Sequence, residues 1–218
     1  MKKYELTEEF IEVKGRKLFR IKALKDFKDV KKGELGGYIE NESNLSQIGD
    51  CWVYDSAMVY DNADVFGNAR LSDNARVYGE AWVYDNAEVF GNAWVSSNAM
   101  VYGEAEVFGY ARVYGNAWVC GDAKVYRNAN VYGDANVYGD AWVFEKNHLF
   151  QLGPIGSREE FTTFFRTKEK EIYVACGCFK GNIEEFEKKV EETHKGTKYE
   201  KTYKLAIELA KAQIDLND

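Results

Sequence analysis

Val77-Tyr-Gly-Glu-Ala-Trp-Val83-Tyr-Asp-Asn-Ala-Glu-Val89-Phe-Gly-Asn-Ala-Trp94 is the stretch that decides the fold. Valine returns every sixth residue, and alanine stands four places after each valine, at Ala81, Ala87 and Ala93. Followed outward, the aliphatic column runs from Val53 to Leu149, with Leu71 as the other departure from valine. The alanine column runs unbroken from Ala57 to Ala141. A period of six fits neither a helix at 3.6 residues nor a simple alternating strand. It fits a two- to four-residue strand followed by a corner. In the strand, Ala and Val point to one face, while the residue between them and the aromatic after Val point to the other. The Gly/Asp-Asn pair supplies a corner, because these residues tolerate a left-handed backbone. Valine favours the strand through its branched Cβ.

The unit Val-(Tyr/Phe)-(Gly/Asp)-(Asn/Asp/Glu)-Ala-x resembles the hexapeptide repeat of the transferase hexapeptide-repeat superfamily. The resemblance implies a left-handed parallel β-helix with three hexads per triangular coil, Val and the preceding Ala inside. The position after the aliphatic residue, small in that family, is Tyr or Phe here except at Ser72, Ser96 and Cys120. The expected fold is mainly β: a left-handed parallel β-helix with an N-terminal β-hairpin cap and a small C-terminal α+β module.

Three segments are expected. Residues 1–35 alternate apolar and polar residues around Lys14-Gly15-Arg16 and read as a β-hairpin cap. Residues 36–150 form the β-helix. Within them 36–52 read as a degenerate first coil, with Ile39, Leu45 and Cys51 continuing the alanine column. Residues 151–218 form the α+β module. Gln151 to Ser157 reads as a turn-rich exit. Phe161 to Phe165 and Ile172 to Phe179 read as strands. Asn182 to Glu185 is a capping box opening a helix that carries Ile183, Phe186 and Val190 inward, and a second helix starts near Lys198. The runs Ile155 to Arg158 and Gly177 to Gly181 resemble a C-terminal module of phage- and prophage-encoded hexapeptide-repeat proteins of unsettled function.

Charge narrows the partners. Residues 51–145 hold thirteen acids and five bases, so the spine is about -8, more than the whole chain's net charge of -7, and the flanks together are slightly basic. An acidic spine repels phosphate backbones, which argues against duplex nucleic acid and against a membrane surface. The sequence shows no signal-peptide pattern and no long apolar run, and its four cysteines suggest no disulfide framework. A cytoplasmic protein is expected.

The chemistry-bearing residues are few. His148 reads as a solvated corner residue, and His194 falls on the apolar stripe of the first C-terminal helix. Cys176 and Cys178, two apart in an expected strand, lack further ligands nearby, so no metal and no cofactor is expected. Enzymes of the resembled superfamily use a histidine base, often beside a loop leaving the coil. No such loop interrupts residues 53–143, and no catalytic residue is expected. Candidate binding residues are Gly156, Ser157, Arg158, Cys178 and His194. An Arg beside a Gly-Ser turn suits an anion, although pairing of Arg158 with Glu160 is the alternative.

Residues eighteen apart are expected to stack about 4.8 Å apart. This makes ladders of outward rings, with Trp52, Trp82, Trp94, Trp118 and Trp142 between them. Ladder stacking alone or an interaction surface centred on Trp82, Trp94, Trp118, Tyr84, Tyr102, Tyr114 and Tyr132 are both open readings. The functional expectation is a non-catalytic binding or scaffold protein. It is expected to be a homo-oligomer, trimeric as the resemblance implies or dimeric through its rings, and to hold a protein or a small anionic, nucleotide-like ligand. The alternative is a CoA-dependent acyltransferase.

Overall fold

Valine and alanine alternate inward along every short strand, and this closes the chain into a three-sided coil. The computed structural model describes residues 2–217. Sixteen two-residue strands, six residues apart, run from β4 (Trp52–Val53) to β19 (Trp142–Val143). Each but the last three pairs in parallel with the strand eighteen residues on: Trp52 beside Arg70, Met58 beside Arg76, Asp64 beside Trp82. Three flat faces result. The first holds β5, β8, β11, β14 and β17, the second β6, β9, β12, β15 and β18, and the third β4, β7, β10, β13, β16 and β19. The solenoid makes about six turns. The Val and Ala columns are fully buried and form one continuous core. Alanine lets the three walls approach closely, and each buried valine contributes roughly 1.5–3 kcal/mol.

The corners carry their own ladders. Asp73 and Asp85 adopt positive φ, as does Gly103, and each carboxylate accepts the N–H of the same corner one coil on. Gly91 N donates to Asp73 Oδ2 at 2.9 Å, and Gly103 N to Asp85 Oδ2 at 3.3 Å. Asn68, Asn86 and Glu104 link side chain to side chain along an edge, at 2.9 and 2.6 Å. These corner polar groups therefore tie coils together. A discriminating outcome follows for Gly103. Replacement by Ala leaves a Cβ in a left-handed backbone and should destabilise by about 1–2 kcal/mol. Gly103→Asp should lose measurably less in denaturant melts, because its carboxylate can accept from Gly121 N–H.

The outward rings stack as expected. Phe66, Tyr84 and Tyr102 stack 4.8 and 4.9 Å apart with nearly parallel ring planes, and Phe90, Phe108 and Tyr126 repeat this at 4.7 and 4.9 Å. Tyr114 and Tyr132 are the more exposed pair, with centroids 5.7 Å apart.

The N-terminal segment is more than a hairpin. β1 (Tyr4–Val13) and β2 (Arg16–Ala23) pair antiparallel, and β2 pairs with β3 (Leu35–Ile39), which joins the first face beside β5. The cap thus extends one solenoid sheet. The first coil is present, but its register differs from expectation. Ile39 pairs with Val59 and Leu45 with Val65, so both stand in the valine column, and only Cys51 keeps the alanine column. Two additional residues between Leu45 and Val53 cause the shift.

Trp52, expected outward, is fully buried beneath the cap, edge-on to Tyr4 and Phe27 at 6.1 and 5.4 Å. Lys3 is buried beside it. Its ammonium donates to Cys51 O at 2.9 Å and to Gly49 O at 3.4 Å, and it lies 3.1 Å from Cys51 Sγ. Burial draws the Lys3 pKa below the ordinary lysine range and pushes the Cys51 thiol up.

The C-terminal module closes the other end. A four-stranded antiparallel sheet runs in order β20 (Leu149–Ile155), β21 (Glu160–Arg166), β22 (Ile172–Cys176) and β23 (Phe179–Asn182). The segment read as a turn-rich exit is therefore mostly strand. Pro154 fits because β20 is an edge strand. The strand expected from Ile172 to Phe179 breaks at Gly177-Cys178. Two helices follow, α1 (Ile183–His194) and α2 (Lys198–Gln213). Asn182 accepts from Glu185 N at 2.8 Å, and Glu185 returns the bond, so the capping box stands. Phe165 joins the solenoid core as its lid, and Thr163 Oγ1 accepts from Asn136 N at 3.2 Å. His148, expected to be solvated, is buried edge-on to Phe144 at 4.2 Å. No helix among the described residues is long and apolar enough to cross a membrane.

Candidate functional site

Two of the three turns of the C-terminal sheet and the helices packed on it enclose a cleft of about 340 Å³. The β20–β21 turn brings Ser157, Arg158 and Glu160. The β22–β23 turn brings Cys176, Gly177, Cys178 and Phe179. α1 brings Phe186, Lys189, Val190, Thr193 and His194, and α2 brings Tyr203. The floor is apolar, formed by Phe179, Phe186, Val190 and Tyr203, with Phe186 edge-on to Tyr203 at 5.5 Å. The rim carries Arg158 and Lys189 against one carboxylate, Glu160.

Each side chain arrives for a local reason. Gly156 adopts φ +77° in the tight turn, and a Cβ there would strike the Tyr203 hydroxyl. Its lack of a side chain lets the turn rest on α2, and Gly156 itself stands behind the cleft. Arg158 follows on the exposed limb of that turn and makes no hydrogen bond or ion pair with any described residue. It and Glu160 straddle Gly177, with Arg158 Nη1 3.3 Å and Glu160 Oε2 3.0 Å from where a Cβ on Gly177 would lie. They do so without closing the ion pair that was the alternative reading of Arg158. His194, the last residue of α1, is half-buried against Tyr203, ring centroids 5.5 Å apart.

The cleft wall holds two further polar groups. The Cys176 thiol lies 3.7 Å from the Tyr203 hydroxyl, and Thr162 Oγ1 donates to its sulfur at 3.3 Å. Burial, reinforced by Cys176, raises the Tyr203 pKa well above the ordinary phenol range, with Arg158 opposing. Tyr203 is thus a neutral hydroxyl at the cleft floor. Cys178 is exposed at the rim, on the opposite limb of the turn from Cys176. No group of three His, Cys, Asp or Glu side chains suited to a metal occurs among the described residues.

Of the five expected binding residues, Ser157, Arg158, Cys178 and His194 meet in this one cleft, and Gly156 supports it. The expected aromatic surface lies apart, on the solenoid. Trp94 is flanked there by Arg76 and Arg112, 5.5 and 4.7 Å from its ring. The larger concavity on the solenoid, about 610 Å³ beside Tyr110 and Arg112, is broad and lined by Asn128, Asn130 and Asn147. It lacks the apolar floor of the module's cleft. Sequence reasoning missed Tyr203 and Phe179 as cleft residues; Phe186 and Val190, expected in the core, are buried there and also floor the cleft.

The unbroken six-residue period, the three parallel faces and the buried Val and Ala columns define a hexapeptide-repeat-like left-handed β-helix. Residues 69–85 match the family model described as the YdcK beta solenoid repeat. The uncharacterized acetyltransferase YdcK of Escherichia coli (strain K12) is 35% identical to this chain over 89 residues. The match covers 37% of this chain and 27% of that relative, so the chain spans about a quarter of the relative's length.

Proposed function

We propose that this protein binds a small amphipathic anion in the C-terminal cleft, without transforming it, and that the solenoid is the rigid body carrying that cleft. The observation that carries this reading is the Arg158 guanidinium, which makes no hydrogen bond or ion pair with a described residue, over a floor of Phe179, Phe186 and Tyr203. A guanidinium forms paired, charge-assisted bonds to phosphate or carboxylate, and an aromatic floor accepts a planar or apolar body. A nucleotide-like monoanion or dianion fits both. The cysteines are all free thiols, which supports a reducing compartment such as the cytoplasm.

A second reading is acyl transfer, favoured by the name acetyltransferase borne by the relative. Histidine is the side chain best matched to proton transfer at neutral pH. His148 is buried at the solenoid's end with Nδ1 3.5 Å from Phe144 N, and His194 lies in the module's cleft. Neither projects from a solenoid face, and this supports binding over acyl transfer.

Calorimetry with a panel of nucleoside monophosphates, nucleoside diphosphates and acetyl-CoA tests the two readings. Under the binding reading one of these anions titrates, and Arg158→Ala weakens it about tenfold or more. Acetylated product formed from acetyl-CoA and an amine or sugar would establish the second reading instead.

A further inference from the structure

Lys3 is buried without a carboxylate. It lies between the cap and the first coil, and its Nζ forms no ion pair with a described residue. The nitrogen meets Cys51 O at 2.9 Å, Gly49 O at 3.4 Å and Cys51 Sγ at 3.1 Å. Burial without a counter-ion favours a neutral amine and a neutral thiol, and each pKa moves in that direction. A neutral amine has two N–H donors and one lone pair. Two carbonyls take the donors, so the lone pair is left to the sulfur. Cys51 also departs from its column, which is alanine in every hexad from 57 to 141. An amine that only capped carbonyls would need no thiol there.

We propose that Lys3 and Cys51 form a modification site, at which hydrogen peroxide joins them through one oxygen atom as Nζ–O–Sγ. One peroxide converts the Cys51 thiol to a sulfenic acid and leaves water, the amine accepting the thiol proton as sulfur is attacked. A second peroxide oxidises the Lys3 nitrogen to a hydroxylamine and leaves a second water. The hydroxylamine oxygen then bonds to Cys51 Sγ, and the sulfenic hydroxyl departs with its proton as a third water. Sulfur and nitrogen each lose two electrons, and the two peroxides accept all four. The 3.1 Å gap suits a bridging oxygen, whereas a direct S–N bond needs a far closer approach.

The oxidant has a short way in. The sulfur lies 3.6 and 3.9 Å from Ser46 O and Ile48 O, in a loop open to solvent where Ile48 is 82% exposed. Local opening of such a loop admits a molecule little larger than water. The link ties the segment before β1 to the residue before β4, 48 positions on. Closing so long a loop restricts the unfolded chain, so peroxide locks the cap onto the first coil and thiol reductants release it.

Peptide mapping after peroxide treatment, at a dose that oxidises the exposed Cys178 and leaves circular dichroism unchanged, tests this. The fragments holding Lys3 and Cys51 should appear as one species, with the mass of their sum plus one oxygen less two hydrogens. Dithiothreitol should return both unmodified, and the linked protein should melt several degrees above the reduced one. Lys3→Arg and Cys51→Ala, the second restoring the column's own residue, should each abolish the linked species. A Cys51 that stays a free thiol, or that oxidises without joining Lys3, would overturn the proposal. So would a cross-link lacking the oxygen, or the same mass gain at Cys51 in Lys3→Arg.

Discussion

Trp52→Ala is expected to destabilise the protein by roughly 3–5 kcal/mol, the range for deleting a buried aromatic side chain. Trp52 occupies an outward position of the repeat, where a solvated side chain would be dispensable. Here Tyr4 and Phe27 close over it, and it belongs to the solenoid's own core cluster. Removing the indole leaves a void between cap and first coil that neither backbone can collapse to fill, because both are tied by sheet hydrogen bonds. Solenoid stability is nearly a sum of nearest-neighbour terms, so the loss should concentrate at this end. Hydrogen exchange should show amides of β1 to β3 opening far more readily, with those near Val101 and Val107 still protected. Uniform loosening along the whole chain would mean that cap and coils form one cooperative unit.

Ala99→Leu should cost toward the upper part of about 1–3 kcal/mol by overpacking. Ala99 is fully buried in a three-walled interior whose width is fixed by backbone ladders on every side. The larger side chain can be housed only by spreading a wall, which strains bonds such as Met100 N to Ala117 O at 2.9 Å. Phe108→Leu, on an outer column, is the comparison. It gives up stacking on Phe90 and Tyr126, about 0.5–1.5 kcal/mol, and opens no void in the core. Denaturant midpoints that fall equally for both variants would contradict the inside–outside assignment.

The sequence displayed the solenoid because each coil repeats the same local decision: inward Val and Ala, a corner that accepts positive φ. What escaped it depended on contacts between distant segments. Alternation told that Trp52 leaves the core on the outer side, but not that residues 4 and 27 return to cover it. An aliphatic residue suits either inner column, so Ile39 and Leu45 concealed the two additional residues before Val53. Gly153 and Pro154 mimicked a turn because the order of strands, which makes β20 an edge, is invisible locally. The candidate cleft was half legible. Ser157, Arg158, Cys178 and His194 were visible as chemistry-bearing residues near turns or a helix end. Phe186, Val190 and Tyr203 carried only helical periodicity, which reads the same for a core face and for the wall of a cleft beside it.

The uninterrupted six-residue period also acts as an angular index. Each hexad advances the chain one face, a third of a turn about the solenoid axis, and eighteen residues bring it back to the same azimuth one coil higher. The bearing of the C-terminal cleft relative to the N-terminal cap is thus set by the number of hexads modulo three, and its elevation by the number of complete coils. Duplicating or deleting eighteen residues changes elevation alone, whereas a change of six or twelve swings the cleft to another side of the prism. Repeat number thereby encodes two spatial coordinates in one integer, and a length change in this chain is a rotation unless it comes in threes.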